Sequence, residues 1–219
     1  MTILVDNLLD VHSVTAVLNS LSDDLFVDGK KTAGKTARAV KKNLQADPKS
    51  PKIIAATKLV EQALRKHPMV TNSAFPDKLS NIIISRYDEG MTYGSHVDNA
   101  FIHATRTDLS FTLFLSDPDT YDGGELILQK HDGDDGIKLP QGSVYIYPTR
   151  ELHYVAPVTR GVRYAAVGWI QSQVRSEEHR GTLFDLYLAL QQMADTEENR
   201  QARLHILKAR SNLMRMWAE

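Results

Sequence analysis

The 219-residue sequence contains no cysteine, which excludes a disulfide framework, a zinc-thiolate site and an iron–sulfur cluster. Any bound metal must therefore be held by histidine, aspartate or glutamate. The chain also lacks a charge excess: 26 basic residues face 27 acidic ones, for a formal net charge of −1. That balance gives no electrostatic reason to expect nucleic acid or an anionic membrane as the main partner. No apolar run approaches the roughly 18 residues needed to span a bilayer. The opening Met1-Thr2-Ile3-Leu4-Val5-Asp6 has no basic residue, and its apolar run stops at Asp6, unlike a signal peptide. These absences together predict a soluble, cytoplasmic chain, long enough to bury one domain-sized core.

What is present falls into three zones. Residues 8–21 carry leucine and valine at helical spacing. Over 30–45, Ala33, Ala37, Val40 and Leu44 would form one stripe, with Lys31, Lys35, Arg38 and Lys42 on the opposite face. Ser50-Pro51 reads as an N-cap followed by proline at the first helical position. It opens a helix to Lys66 that buries Ile53, Ala56, Val60 and Leu64.

After about residue 80 the period changes to two. Asn81–Tyr87 is short and β-branched, and Leu109, Phe111, Leu113 and Leu115 alternate with Asp108, Ser110 and Thr112. Further strands are expected at 125–129, 142–147 and 162–170, with turns at Asp122-Gly123-Gly124 and Asp132–Gly136. Many short strands between turn signals predict a sandwich or jelly roll, not a parallel sheet. The tail is helical again. Ser176 caps a first helix, Asp195 with Glu198 resembles a capping box, and Leu204, Leu207, Met214 and Trp217 lie on one face of a second. This hairpin would pack on the sheet or form a homodimer contact.

Chemistry enters at His96-Val97-Asp98, with a second histidine, His153, 55 residues past Asp98. In extended chain, i and i+2 point the same way, so His96 and Asp98 can reach one ion, joined by His153 from another strand. Two histidines and a carboxylate on one face is the ligand set of non-haem Fe(II) oxygenases. Arg163 stands in a strand otherwise built of apolar and small residues. A guanidinium there needs an anion. Arg163, Ala165, Val167 and Trp169 share one face, and small Ala165 would leave room for a dicarboxylate. Glu125 is the rival partner for Arg163.

Several segments together resemble a known family. They are Val27-Asp28-Gly29 with Thr32-Ala33-Gly34, Arg86 through Asp98, Thr107–Ser110, Tyr121–Leu126, Tyr147 through His153, Pro157–Gly161 and Trp169–Ser172. The chain resembles the prolyl-4-hydroxylase-like Fe(II)/2-oxoglutarate-dependent dioxygenases, and among these the PKHD-type hydroxylases. The resemblance implies an α+β fold with a double-stranded β-helix (jelly-roll) core at 79–173. Around it would lie an N-terminal helical region, 1–78, and a C-terminal helical extension, 174–219. It implies His96, Asp98 and His153 as iron ligands, with Arg163 on the distal carboxylate of 2-oxoglutarate. Tyr87 would hydrogen-bond the same co-substrate, and Tyr93 is a further candidate. The implied reaction consumes O₂ and 2-oxoglutarate, releases succinate and CO₂, and hydroxylates a small-molecule or peptidyl substrate, with ascorbate as a candidate reductant.

Other signals compete. A non-catalytic cupin-like protein that binds metal or a small molecule would share much of this pattern. Gly29 to Thr36 matches the P-loop spacing, but the expected β-segments do not alternate with helices as a parallel sheet requires. In the dioxygenase reading, residues 30–42 form a wall or lid, their lysines facing solvent or attracting an anionic substrate. Counted from Asp132, the acidic cluster places Ser143 where an EF-hand needs its last carboxylate. His103, His131, His179 and His205 have no partner at ligand spacing and are expected at the surface or in structural roles.

Overall fold

A computed structural model describes residues 1–32 and 35–219, with side chains described outside 32–37. Strand β1 (Ile3–Val5) buries Ile3 and Val5 and exposes Leu4. Helix α1 (Val11–Asn19) starts at Asp10, whose carboxylate accepts from the Ser13 amide at 2.7 Å. Strand β2 (Phe26–Asp28) precedes the first departure from expectation. In place of one amphipathic helix over 30–45, α2 (Lys35–Val40) is followed by strands β3 (Lys41–Lys42) and β4 (Leu44–Ala46). The cause is tertiary: Lys41 pairs with Tyr93 and Leu44 with Arg86, and sheet pairing overrides a weak local helical preference. Ala33, the Ala37 side chain and the Gly34-Lys35 part of the P-loop-like pattern lie outside what is described.

Helix α3 (Pro51–Lys66) has Ser50 as N-cap and buries Ile53, Ala56, Val60 and Leu64, as its periodicity predicts. Helix α4 (Pro68–Ser73) leads into β5 (Pro76–Leu79), β6 (Ile83–Tyr87) and β7 (Thr92–His96). A small hairpin, β8 (Phe101–Ile102) and β9 (Thr105–Arg106), precedes β10 (Leu109–Phe114). Then come β11 (Asp122–Gly123), β12 (Leu126–Lys130), β13 (Gly133–Ile137) and β14 (Val144–Pro148). The last strands are β15 (His153–Val155), β16 (Val158–Arg160) and β17 (Arg163–Ser172). The acidic stretch expected to be a turn is strand β13, because the turn itself is confined to His131-Asp132. β13 is an exposed edge, and its aspartates oppose pairing with another chain.

The major sheet runs β1-β14-β10-β17-β6-β4-β2, with β5 also on β17, and the minor sheet runs β13-β12-β15-β7-β3. All pairings within them are antiparallel among the described residues. Two antiparallel sheets flanked by helices form the α+β jelly-roll architecture. The region before residue 79 is only partly helical, since β1, β2, β3 and β4 join the two sheets.

The alternation in β10 sorts two environments. Leu109, Phe111 and Leu113 join Val14, Val60, Leu64 and Ile170 in one core with the helices. Phe114 packs instead with Leu126, Leu128, Ile137 and Tyr147. Ser110 and Thr112, also buried, line a cavity. The polar half of the strand therefore faces a site rather than bulk water. Gly168 in β17 permits the close packing behind that site, because a Cβ there would lie 2.8 Å from the Phe111 ring.

Helices α5 (Glu177–Gln192) and α6 (Arg200–Trp217) form the C-terminal hairpin, packed through Leu183, Leu213, Met214 and Trp217 onto Phe75 and Val174. Ser176 caps α5 as expected, accepting from the His179 amide at 3.2 Å. The expected capping box is absent: α6 begins at Arg200, and Asp195 lies 3.3 Å from Arg203. Leu204 and Leu207 remain exposed at 52% and 44%, because only the distal end of α6 meets the body of the protein.

Candidate metal centre

The two histidines come together by sheet register. His153 opens β15 opposite His96 at the end of β7, and their ring centroids are 4.3 Å apart. Asp98 follows two residues beyond His96, where β7 has ended. Asp98 Oδ1 lies 3.7 Å from His96 Nε2, and Asp98 Oδ2 lies 3.7 Å from His153 Nε2. One donor atom from each residue falls within 4.8 Å of the others, the spacing of a shared cation.

Both imidazoles are fixed in the same way. His96 Nδ1 donates to the Gly94 carbonyl at 2.8 Å, and His153 Nδ1 donates to the Glu151 carbonyl at 3.0 Å. A carbonyl only accepts, so each Nδ1 carries the proton and each Nε2 presents a lone pair to the shared point. Burial and the neighbouring His153 ring push the His96 imidazole down to about 4. At neutral pH it is uncharged and ready to ligate. Tyr93 stacks on His96 at 3.7 Å between centroids, and Tyr147 meets His153 edge-on at 5.3 Å.

Asp98 is anchored by residues that sequence reasoning gave no role. Trp169 Nε1 donates to Asp98 Oδ2 at 2.8 Å, and Ser110 Oγ donates to the same oxygen at 2.9 Å. The signals were present in the alternation of β17 and β10, which puts both side chains on the inner face. Trp169→Phe keeps the ring and removes the donor. The expected result is a loss of about tenfold or more in metal affinity, the usual cost of an outer hydrogen-bonding partner. A metal titration of purified protein checks it, and unchanged affinity would remove Trp169 from this role.

The cavity around the triad measures about 730 Å³, and Tyr87 and Tyr147 are among its lining residues. Burial raises the hydroxyl pKa of both, so they are neutral donors. Arg163 packs behind Tyr87, its guanidinium carbon 5.2 Å from that ring and 5.5 Å from the ring of Phe114. It is 1% exposed, its Nε has no hydrogen-bond partner, and no carboxylate of the described residues, Glu125 included, forms an ion pair with it. Tyr121, to which sequence reasoning gave no site role, is fully buried with its hydroxyl beside the Arg163 side chain and no other hydrogen-bond partner among the described residues. Its ring and the Arg163 side chain both press against Gly124, where a Cβ would lie 2.9 Å from Arg163 Cδ. Gly124 also has φ of +66°, which favours glycine at that turn. A buried cation without a carboxylate partner among the described residues, and a buried hydroxyl beside it, fit a small carboxylate.

His103 is exposed, as expected, and is also among the residues lining the cavity. His179 is structural, stacked on Trp217 at 4.0 Å.

Comparison with known proteins agrees with this geometry. A model of the 2OG-Fe(II) oxygenase superfamily matches residues 82–171. A PKHD-type hydroxylase of Parvibaculum lavamentivorans is 49% identical over 198 residues, covering 90% of this chain and 89% of the relative. A PKHD-type hydroxylase of Acaryochloris marina is 41% identical over the full length of both chains. A prolyl-4-hydroxylase from Pseudomonas putida shares the fold, with a TM-score of 0.55 at 18% identity over 78% of this chain and 92% of that one. A prolyl hydroxylase of Trichoplax adhaerens, in complex with a hypoxia inducible factor peptide fragment, gives 0.57 at 18% identity over 83% of this chain and 86% of that one. At 49% and 41% identity to PKHD-type hydroxylases, sustained over most or all of both chains, the sequence belongs to that family and is a 2-oxoglutarate-dependent iron dioxygenase.

Proposed function

We propose that this chain hydroxylates an organic substrate at an iron held by His96, Asp98 and His153, with 2-oxoglutarate seated against Arg163. The observation that carries the reading is Arg163: a fully buried guanidinium that forms no ion pair with a carboxylate among the described residues. A protein that only stored metal would have no use for such a cation beside the metal cavity, because burying it alone is costly. The distal carboxylate of 2-oxoglutarate supplies the missing charge, and the Tyr121 hydroxyl supplies a further donor.

When bound, iron and 2-oxoglutarate supply the oxidising chemistry, with the co-substrate leaving as succinate and CO₂. The protein supplies position and enclosure. His96 and His153 present fixed lone pairs, and Asp98 supplies the negative charge of the ligand set. Trp169 and Ser110 keep that carboxylate from rotating. Tyr87 lines the cavity in front of Arg163, and its hydroxyl, beside Asn43, would meet the co-substrate. The cavity walls keep bulk water from the reacting groups.

The test is succinate formation from 2-oxoglutarate by the purified full chain, with and without Fe(II). The expected result is slow, Fe(II)-dependent turnover even without a primary substrate. No binding of 2-oxoglutarate to the Fe(II)-loaded protein would overturn the reading.

A further inference from the structure

Residues 41–46 cross from one sheet to the other. Lys41 and Lys42 pair with Tyr93 and Thr92 of the minor sheet, and Leu44 and Gln45 pair with Arg86 and Ser85 of the major sheet. This strap forms one wall of the metal cavity. Its alternate residues Lys41, Asn43 and Gln45 all line that cavity and are only 5%, 3% and 3% exposed. All three lie outside the segment matched by the superfamily model, whereas the triad, Tyr87 and Arg163 lie inside it. The chemistry-bearing half of the site thus lies within the superfamily match, and the strap lies outside it.

The strap wall is polar where closure alone needs only apolar residues. The Lys41 ammonium sits 4.8 Å from the centroid of Tyr93, and Tyr93 stacks on His96. A cation therefore stands one ring away from the metal centre. Burial pushes the Lys41 ammonium down to about 8, against the pull of Asp98, the proposed ligand, and exposed Asp28, so it is still mostly charged at neutral pH. The Asn43 amide reaches the Tyr87 hydroxyl but meets no other hydrogen-bond partner among the described residues. A buried amide with most of its hydrogen-bonding capacity unused, on a cavity wall, points to a ligand. The exposed residues lining the same cavity are Asn99, His103 and two apolar side chains, Val97 and Phe101, at 52% and 61%.

We propose that the strap is the specificity wall of the enzyme, and that its primary substrate is a small molecule with an anionic group and an apolar body. Lys41 takes the anion, Asn43 hydrogen-bonds beside it, and the body lies toward Val97 and Phe101. This rests on the dioxygenase reading of the same cavity. A peptide recognised by its backbone would have little need of Lys41.

The test uses the full chain loaded with Mn(II) and saturating 2-oxoglutarate, so that the metal and Arg163 are occupied. Benzoate and benzamide are the probes, matched in shape and different in charge, and binding is read by calorimetry. Wild type should bind benzoate more tightly by about tenfold or more, the usual worth of a charged hydrogen bond. Lys41→Met should bring the two within about twofold, and Lys41→Arg should restore the preference. Equal binding of the two probes by wild type overturns the proposal whether or not any variant folds. So does a preference unchanged in Lys41→Met, or a Lys41→Met protein whose 2-oxoglutarate affinity falls as far as its benzoate affinity. Binding of 2-oxoglutarate is measured in the same samples. Its absence in wild type, with the benzoate preference intact, fails the dioxygenase reading and leaves Lys41 as the anion site.

Discussion

Changing Asp98 to alanine is expected to abolish 2-oxoglutarate turnover, with a loss larger than the roughly hundredfold that an outer hydrogen-bonding partner can cost. Asp98 is the only acidic member of the triad, and its oxygens lie 3.7 Å from both Nε2 atoms. Removing it leaves two neutral imidazoles, a far weaker site for a hard divalent ion. The change also strips the acceptor from Trp169 Nε1 and Ser110 Oγ. Asp98→Asn separates the two effects, since an amide oxygen still accepts from Trp169 but brings no charge. Both variants should lose bound iron, measured as metal content, and succinate formation. Asparagine should keep the thermal stability of the metal-free protein. Wild-type iron content in both would end the ligand assignment.

The second large effect is expected at Arg163, and it has opposite signs in two measurements. Arg163→Met keeps an unbranched stem against Tyr87 and Phe114 and removes the charge. Truncating one partner of a buried charge pair costs about 2–5 kcal/mol, so 2-oxoglutarate affinity should fall by about a hundredfold. Without the co-substrate, however, the guanidinium is buried and uncompensated. Replacing such a group by an apolar one of similar volume is often stabilising. The metal-free variant should therefore melt about 3 °C higher than wild type, a shift that corresponds to about 1 kcal/mol in a chain of this size. The rise in melting temperature that 2-oxoglutarate gives to wild type should vanish in the variant. A variant that melts far lower and binds 2-oxoglutarate normally would make Arg163 a structural residue instead.

Much of the site was legible because its chemistry is carried by residue types that have few other reasons to be where they are. An arginine in the otherwise small and apolar run 163–170 stood out, and strand period two placed Ala165, Val167 and Trp169 on its face. Helix α3 was legible for a local reason: Ser50-Pro51 sets its start, and its stripe repeats without interruption to Leu64. The failures arise where distant parts of the chain decide. Val40 and Leu44 have helical spacing, but the hydrogen bonds of residues 41–46 go to β7 and β6. No local pattern reveals those partners, so Lys41 and Asn43 could not be placed in the cavity. Trp169 and Tyr121 were visible as residues but not as partners of Asp98 and Arg163, because that relation exists only across strands. The stripe on α6 shows the converse, since Leu204 and Leu207 have core-like spacing and remain exposed.

The pairing of His153 with His96 makes the site a matter of register rather than of length. Side chains alternate faces along a strand, so a one-residue insertion within Thr92–His96, or between Val144 and His153, would turn a ligand away from the metal. Strands β10 and β12 carry the same constraint, through Ser110 on Asp98 and the pairing of Leu128 with His153, but the hairpin tips between Asp98 and His153 do not. The β8–β9 hairpin and the turn at His131-Asp132 can lengthen or shorten without moving either imidazole. Drift in length is thus confined to the hairpin tips, where an enzyme of this build can change what it admits while keeping what it does.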